Sequence, residues 1–152
     1  INPPLALYYM QGLNTTPLHG HTALFGVYGM LGIGLMLFCL RLVPVRAVWD
    51  EKLLAGAFWT LNGGLAAMAL LSLAPVGILQ VKAAVENGFW FARSPEFLYS
   101  DVIQTLVWMR VPGDIVFSAG ALIVALFVLR LYFRPRSRGA ALPATAPGRT
   151  GG

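Results

Sequence analysis

His19 and His21 lie in the stretch TPLHGHTALFG, residues 16–26, and they are the chain's two histidines. The stretch leads directly into a long apolar run. In a helix, residues two apart are rotated by roughly 200°, so we expect the two imidazoles to point to opposite flanks. Such a pair cannot close on one metal ion as an i, i+4 pair would. The spacing therefore favours two separate cofactors on one helix.

The composition is that of a membrane protein. Of the 152 residues, 57% are hydrophobic and 11% are charged, whereas about a quarter are charged in soluble domains. The net charge is +5, but the basic residues lie mostly at the ends of apolar runs and not in a patch with exposed aromatics, so no nucleic-acid partner is expected. Cys39 stands alone, which excludes an intrachain disulfide and a cysteine metal cluster.

Three apolar runs predict an all-α integral membrane bundle with three transmembrane helices. Each run is long enough to cross the ~30 Å hydrocarbon core. A loop rich in aromatic and polar residues is expected to lie at the membrane interface. The membrane domain covers residues 1–133, with spans at about 18–42, 53–79 and 113–133 and the interfacial loop at 80–112. The sequence begins without an initiator Met or a signal-peptide pattern, so we expect a piece of a longer protein.

Local signals refine these spans. Thr15 or Thr16 is expected to cap the first helix. Pro75 is expected to kink or end the second helix, and Pro112 to divide the run before the third. Glycines in the first two spans predict close approach of a helix or a flat ligand. The glycines that carry this prediction are Gly26, Gly29, Gly32, Gly63 and Gly64, with Asn62 beside the last two expected to form an interhelical hydrogen bond.

The distribution of basic residues predicts the orientation. Six basic residues lie in the first loop and at the start of the C-terminal tail, and two lie on the opposite side, in residues 80–102. They are Arg41, Arg46, Lys52, Arg134, Arg136 and Arg138 against Lys82 and Arg93. We therefore expect a cytoplasmic C-terminus, with His19 and His21 toward the outer, periplasmic face. Residues 134–152 predict a disordered basic tail.

A histidine in a membrane span is costly unless it has a partner, so His19 and His21 are candidate ligands. Neutral imidazole is a common axial ligand of haem iron. Carboxylate and cysteine ligands are missing nearby, so haem fits better than zinc or a di-iron site. The alternative is that both imidazoles lie in water just outside the hydrocarbon and bind nothing.

Residues 13–30, LNTTPLHGHTALFGVYGM, resemble the tenth core helix of the haem–copper oxidase superfamily, and specifically of quinol-dependent nitric oxide reductases. The similarity continues in order to about Tyr132. It includes WTLN at 59–62, LAPVG at 73–77, FARSPEF at 91–97 and RVPGD at 110–114.

This resemblance implies a role for each histidine. His19 would be the proximal ligand of the high-spin haem b, and His21 one of two axial ligands of the low-spin haem b. Quinol would supply electrons, and a non-haem iron would face the high-spin haem. Two nitric oxide molecules would be reduced to nitrous oxide and water. The family needs more histidines and a glutamate for these metals, so the resemblance implies the last three spans of a longer enzyme.

The resemblance also implies partners and a location. The expected partners are the enzyme's own N-terminal helices, membrane lipid, quinol and, as one expected assembly, a second copy in a homodimer. The expected location is the bacterial cytoplasmic membrane. Two other functions stay open, an oxygen-reducing haem–copper oxidase and a non-catalytic membrane anchor or transporter piece.

Three further residues are candidate site residues. Arg93 lies in the outer loop, where superfamily members often place arginines against haem propionates; the alternative is a free surface arginine. Asp114 and Trp90 lie at a depth suited to a quinol headgroup. The alternative for Asp114 is an ion pair with Arg110, four residues earlier, and for Trp90 an interfacial anchor.

Overall fold

The computed structural model describes residues 3–42 and 49–133. All secondary-structure elements in these residues are helical. Three helices are long and apolar enough to cross a membrane, and they cover Thr15–Leu42, Glu51–Asn87 and Asp101–Phe133. These helices confirm the predicted all-α bundle with three transmembrane spans. The predicted disordered tail, residues 134–152, lies outside the described residues.

The first span follows a short helix, α1, Pro4–Met10. Gly12 turns the chain with a φ of 72°, in the left-handed region that favours glycine. The residue before the first helical position is Asn14, and its side chain forms no capping bond, so the predicted threonine cap is wrong. The span consists of α2, Thr15–Gly20, a π-helical stretch, His21–Gly29, and α3, Met30–Leu42.

Side chains near the histidines compete for helix carbonyls where the π-helical stretch begins. Thr22 Oγ1 donates to the carbonyl of Leu18 at 2.9 Å. His21 Nδ1 lies 2.7 Å from the carbonyl of Pro17. Side chains that take up these carbonyls weaken the regular i→i+4 ladder, and wide turns are the form in which a helix absorbs such a disturbance.

The second span consists of α4, Glu51–Met68, a π-helical stretch, Ala69–Leu73, and α5, Ala74–Asn87. Asp50 caps its start by accepting from the backbone N–H of Leu53 at 3.0 Å. Pro75 does not end the helix. A proline ring clashes with the carbonyl four residues earlier, here that of Leu71, and the wide turns that contain Leu71 accommodate the ring.

The second helix therefore extends eight residues beyond the expected end at residue 79. It ends at Asn87 and is followed by Gly88, which has a φ of 90°. The loop begins there and contains a 3₁₀ turn, Phe91–Arg93, and a short helix, α6, Pro95–Leu98. The expected interfacial loop at 80–112 is thus helical at both its ends.

The third span consists of α7, Asp101–Trp108, and α8, Val111–Phe133. A turn at Met109 and Arg110 separates the two helices. Pro112 lies in the first turn of α8, where its missing N–H costs no helical hydrogen bond. The expected division of this run is therefore present, two residues before Pro112.

Helices α4 and α8 touch along their backbones at glycines. A Cβ built on Gly64 would lie 2.8 Å from Phe117 Cα, and one on Gly120 would lie 2.8 Å from the backbone nitrogen of Leu61. A Cβ built on Gly113 would come similarly close to the backbone of α4. Small residues permit such contacts between helices in a membrane, where packing drives association.

The other predicted close approaches are only partly present. Gly26 lies against the Leu65 side chain, at 3.3 Å from a built Cβ, whereas a Cβ on Gly32 or Gly63 would meet nothing within 4 Å. Asn62 donates to the carbonyl of Phe58 in its own helix, so the predicted interhelical bond is wrong. The first span thus contacts the other two mainly through its histidine end.

Candidate metal centre at the start of the first span

The His21 ring is held at both nitrogens. Nδ1 lies 2.7 Å from the carbonyl oxygen of Pro17. Nε2 lies 3.1 Å from Nη2 of Arg110, which belongs to the third span. A carbonyl can only accept and a guanidinium can only donate. The two partners therefore require a proton on Nδ1 and a lone pair on Nε2.

This tautomer is the one that a metal-binding histidine needs. A ligating imidazole offers one nitrogen lone pair and usually donates its other N–H to a carbonyl or carboxylate, which fixes the ring. The Pro17 carbonyl, one turn before His21, supplies that second contact. The contact between Nδ1 and Pro17 thus leaves the lone pair of His21 Nε2 available to ligate a metal.

His19 lies on the other flank of the same helix. Gly20 and His21 both have helical backbone angles, so the two imidazoles are rotated by roughly 200°. His21 is half-buried among the spans, whereas His19 is exposed. The two side chains diverge, as their spacing predicts.

A cavity of about 250 Å³ opens in front of His21. Its walls come from all three spans and are half apolar and half polar, and the polar half includes one ionic pair. Arg110 Nε donates to Asp114 Oδ1 at 3.2 Å, which confirms the predicted ion pair. The lining residues are His21, Phe25, Leu65, Met68, Arg110, Asp114, Phe117 and Ser118.

Arg93 joins the loop between the second and third spans to the segment before the first. Its Nη2 donates to the carbonyl of Gln11 at 2.9 Å, and its Nη1 donates to the carbonyl of Phe89 at 3.0 Å. The guanidinium also lies over the Phe89 ring, 5.8 Å from its centroid. Contact with a haem propionate stays a prediction for Arg93.

Trp90 and Asp114 do not share the cavity. Trp90 is 88% exposed and is absent from the cavity lining. Asp114 lines the cavity and faces Arg110. Their joint role at a quinol headgroup stays a prediction.

Gln80 is a site-supporting residue that the sequence reasoning missed. Its side chain is 6% exposed. Its Oε1 accepts from the backbone N–H of Asn14 at 2.7 Å, and its Nε2 donates to the carbonyl of Ala92 at 3.3 Å. Gln80 therefore links two parts of the chain. One is the segment just before the helix that carries His19 and His21, and the other is the outer loop. A polar residue in an apolar helix was the available signal.

The comparison with family models identifies the chain's family. The model described as "Cytochrome C and Quinol oxidase polypeptide I" matches residues 1–116, which include both histidines and Asp114. The chain belongs to this family. Oxidase polypeptide I proteins are haem-binding oxidoreductases of the haem–copper superfamily, so the chain is a multi-pass membrane member of that group. The comparison with individual curated proteins found no match.

The donor set of this oxidase-family chain fits haem iron. In residues 3–42 and 49–133, no three His, Cys, Asp or Glu side chains are grouped closely enough to hold a metal ion. A haem ring itself supplies four nitrogen ligands, so its iron needs only one or two axial side chains. His21, with one lone pair on Nε2 beside a cavity between the spans, meets that requirement.

Proposed function

We propose that this chain belongs to a quinol-dependent nitric oxide reductase, in which His19 ligates the high-spin haem b and His21 the low-spin haem b. The divergence of the two imidazoles supports the two haems, and the resemblance of residues 13–30 supports the choice of a nitric oxide reductase. His21 turns inward with its Nε2 lone pair fixed, and His19 lies on the exposed opposite flank. One helix can thus hold two haems, joined through a single glycine.

The chain's own residues hold and insulate the groups. When bound, the two haems and a non-haem iron supply the electron transfer that reduces two nitric oxide molecules, with two electrons and two protons, to nitrous oxide and water. His21 and His19 fix the positions of the two irons relative to each other. Phe25, Leu65 and Phe117 supply the apolar part of the cavity wall beside His21.

The remaining ligands lie outside these residues in our proposal. Both histidines are already assigned, and a cavity of about 250 Å³ is smaller than the ~300–1,000 Å³ pockets that enclose small ligands. The enzyme's N-terminal helices would complete the site. We further propose a bacterial cytoplasmic membrane location, a cytoplasmic C-terminus and the histidines on the periplasmic side.

An oxygen-reducing oxidase is the second candidate. The matched family is described by cytochrome c and quinol oxidases, which favours this reading as much as the first. The two candidates differ in the acceptor they reduce and can share the haem ligands His19 and His21.

Turnover of the complete protein, purified in detergent from its own gene, separates the candidates. With a reduced quinol as donor, we expect nitric oxide consumption with one nitrous oxide formed for every two molecules consumed. Reduced cytochrome c, offered in parallel, should give little turnover. Rapid oxygen reduction without nitrous oxide formation would show that the oxidase reading is correct and the proposed function is wrong.

A further inference from the structure

Arg110 contacts the same nitrogen of His21 that the proposed function assigns to iron. The two residues are 89 positions apart and lie in different spans, yet Arg110 Nη2 is 3.1 Å from His21 Nε2. We propose that Arg110 is a positioning residue that occupies His21 Nε2 in the haem-free protein and is displaced when haem binds. The haem-binding part of this inference rests on the proposed function.

The contact excludes a metal bond at the same atom. The neutral imidazole has one nitrogen lone pair, because Nδ1 carries the proton donated to Pro17. A lone pair that accepts from Arg110 cannot also coordinate iron. Arg110 and iron therefore compete for Nε2, and each excludes the other.

The same contact keeps the ligand prepared. With the Pro17 carbonyl at Nδ1 and Arg110 at Nε2, both ends of the ring are held, so the ring cannot flip or change tautomer without breaking a hydrogen bond. Iron thus meets an imidazole that is already oriented. Arg110 is thus a hydrogen-bond partner of His21 Nε2 that iron can replace.

Asp114 keeps the Arg110 guanidinium paired when that guanidinium moves away from His21. Arg110 Nε donates to Asp114 Oδ1 at 3.2 Å from one side of the guanidinium, while Nη2 reaches His21 from another. The two side chains are 37% and 44% exposed, so the guanidinium has room to turn. Breaking the bond to His21 leaves the ion pair in place, so the guanidinium stays paired with a carboxylate.

The first test measures access to His21 Nε2 without haem. The complete protein is produced in a host that cannot make haem, treated with diethyl pyrocarbonate, and the modification rates of His21 and His19 are compared by peptide mass spectrometry. We expect Arg110→Met to raise the His21 rate about tenfold relative to His19, because a charge-assisted hydrogen bond on Nε2 is lost. His19 is exposed and serves as the internal reference.

Arg130→Met is the matched control, since it removes an exposed arginine from the last turn of the same helix. It should leave the ratio unchanged. An unchanged ratio in Arg110→Met would overturn the proposal. If Arg110→Met loses its helical circular dichroism, Arg110→Lys decides: a single ammonium cannot contact Asp114 and His21 together as the planar guanidinium does, so the ratio should rise, and a ratio equal to that of the unaltered protein overturns the proposal.

The second test adds haemin to the same haem-free proteins and follows the low-spin haem spectrum. The Pro17 carbonyl still holds Nδ1 in Arg110→Met, so the imidazole stays oriented while its competitor is lost, and low-spin haem should bind with an apparent Kd about tenfold lower than in the unaltered protein. Equal Kd values would overturn the competition but leave the proposed function standing. If the unaltered protein forms no low-spin haem, the proposed function fails, while the His21 modification ratio still decides whether Arg110 covers Nε2.

Discussion

Gln80 shows how a single buried side chain can set the position of the histidine helix. It bridges the backbone of Asn14, just before that helix, and the carbonyl of Ala92 in the outer loop. We expect Gln80→Leu to lower the free energy of unfolding by about 2 kcal/mol, because a half-buried N–H and a buried carbonyl lose their partner. Denaturant titration of the purified complete protein in detergent measures this loss.

Gln11→Leu is the control for this prediction, since it makes the same chemical change at an exposed side chain near the same segment. It should change the free energy of unfolding by no more than about 0.5 kcal/mol. Equal effects of the two substitutions would show that Gln80 is not the link between Asn14 and Ala92.

The site residues were predictable from sequence where the contact is local. The pair of Arg110 and Asp114 follows from a spacing of four in a helix. The divergence of His19 and His21 follows from a spacing of two. Arg110 on His21 was not predictable, because nothing in a single sequence says which faces of two spans meet. The same holds for the bond between Gln80 and Asn14, 66 residues apart.

At the scale of elements, the contact between α4 and α8 depends on the absence of a side chain at Gly64. A methyl group there would meet the backbone of Phe117 and, at 2.9 Å, the carbonyl oxygen of Gly113. Backbone atoms cannot move aside as a flexible side chain can. We expect Gly64→Ala to destabilise the bundle by about 2 kcal/mol through overpacking, measured by denaturant titration in detergent.

The neighbouring Gly63 provides the control. It lies in the same helix, and a Cβ built on it meets nothing within 4 Å. Gly63→Ala should be neutral or slightly stabilising, because alanine has the higher helix propensity. If both substitutions destabilise the bundle equally, the close contact of α4 and α8 does not hold the spans together.

The existence of the three spans was predictable from apolar length, and their interruptions were less so. Pro112 led us to predict that the third apolar run is divided. The structure divides it slightly earlier, at the turn of Met109 and Arg110. The π-helical stretches were not expected, since they arise from competition for carbonyls beside Thr22 and from accommodation of Pro75. The end of the second helix was set too early because the aromatic, polar segment after residue 80 has the composition of a loop.

At the scale of the whole molecule, the described residues gather polar chemistry at one end of a three-span bundle. His21, Arg110 and Asp114 surround a cavity between the spans, and Arg93 and Gln80 hold the adjacent loop to the segment before the first span. The family match over residues 1–116 contains all of these side chains. The arrangement accounts for the fixed donor nitrogen of His21 and the exposed, opposite direction of His19.

The most direct test of the central claim is the haem spectrum of the complete, purified protein after substitution of each histidine. Optical and electron paramagnetic resonance spectra distinguish low-spin from high-spin haem b. His21→Ala should remove the low-spin signal and keep the high-spin one, whereas His19→Ala should do the reverse. Spectra that remain unchanged in both variants would contradict the claim that these two histidines hold two separate haems.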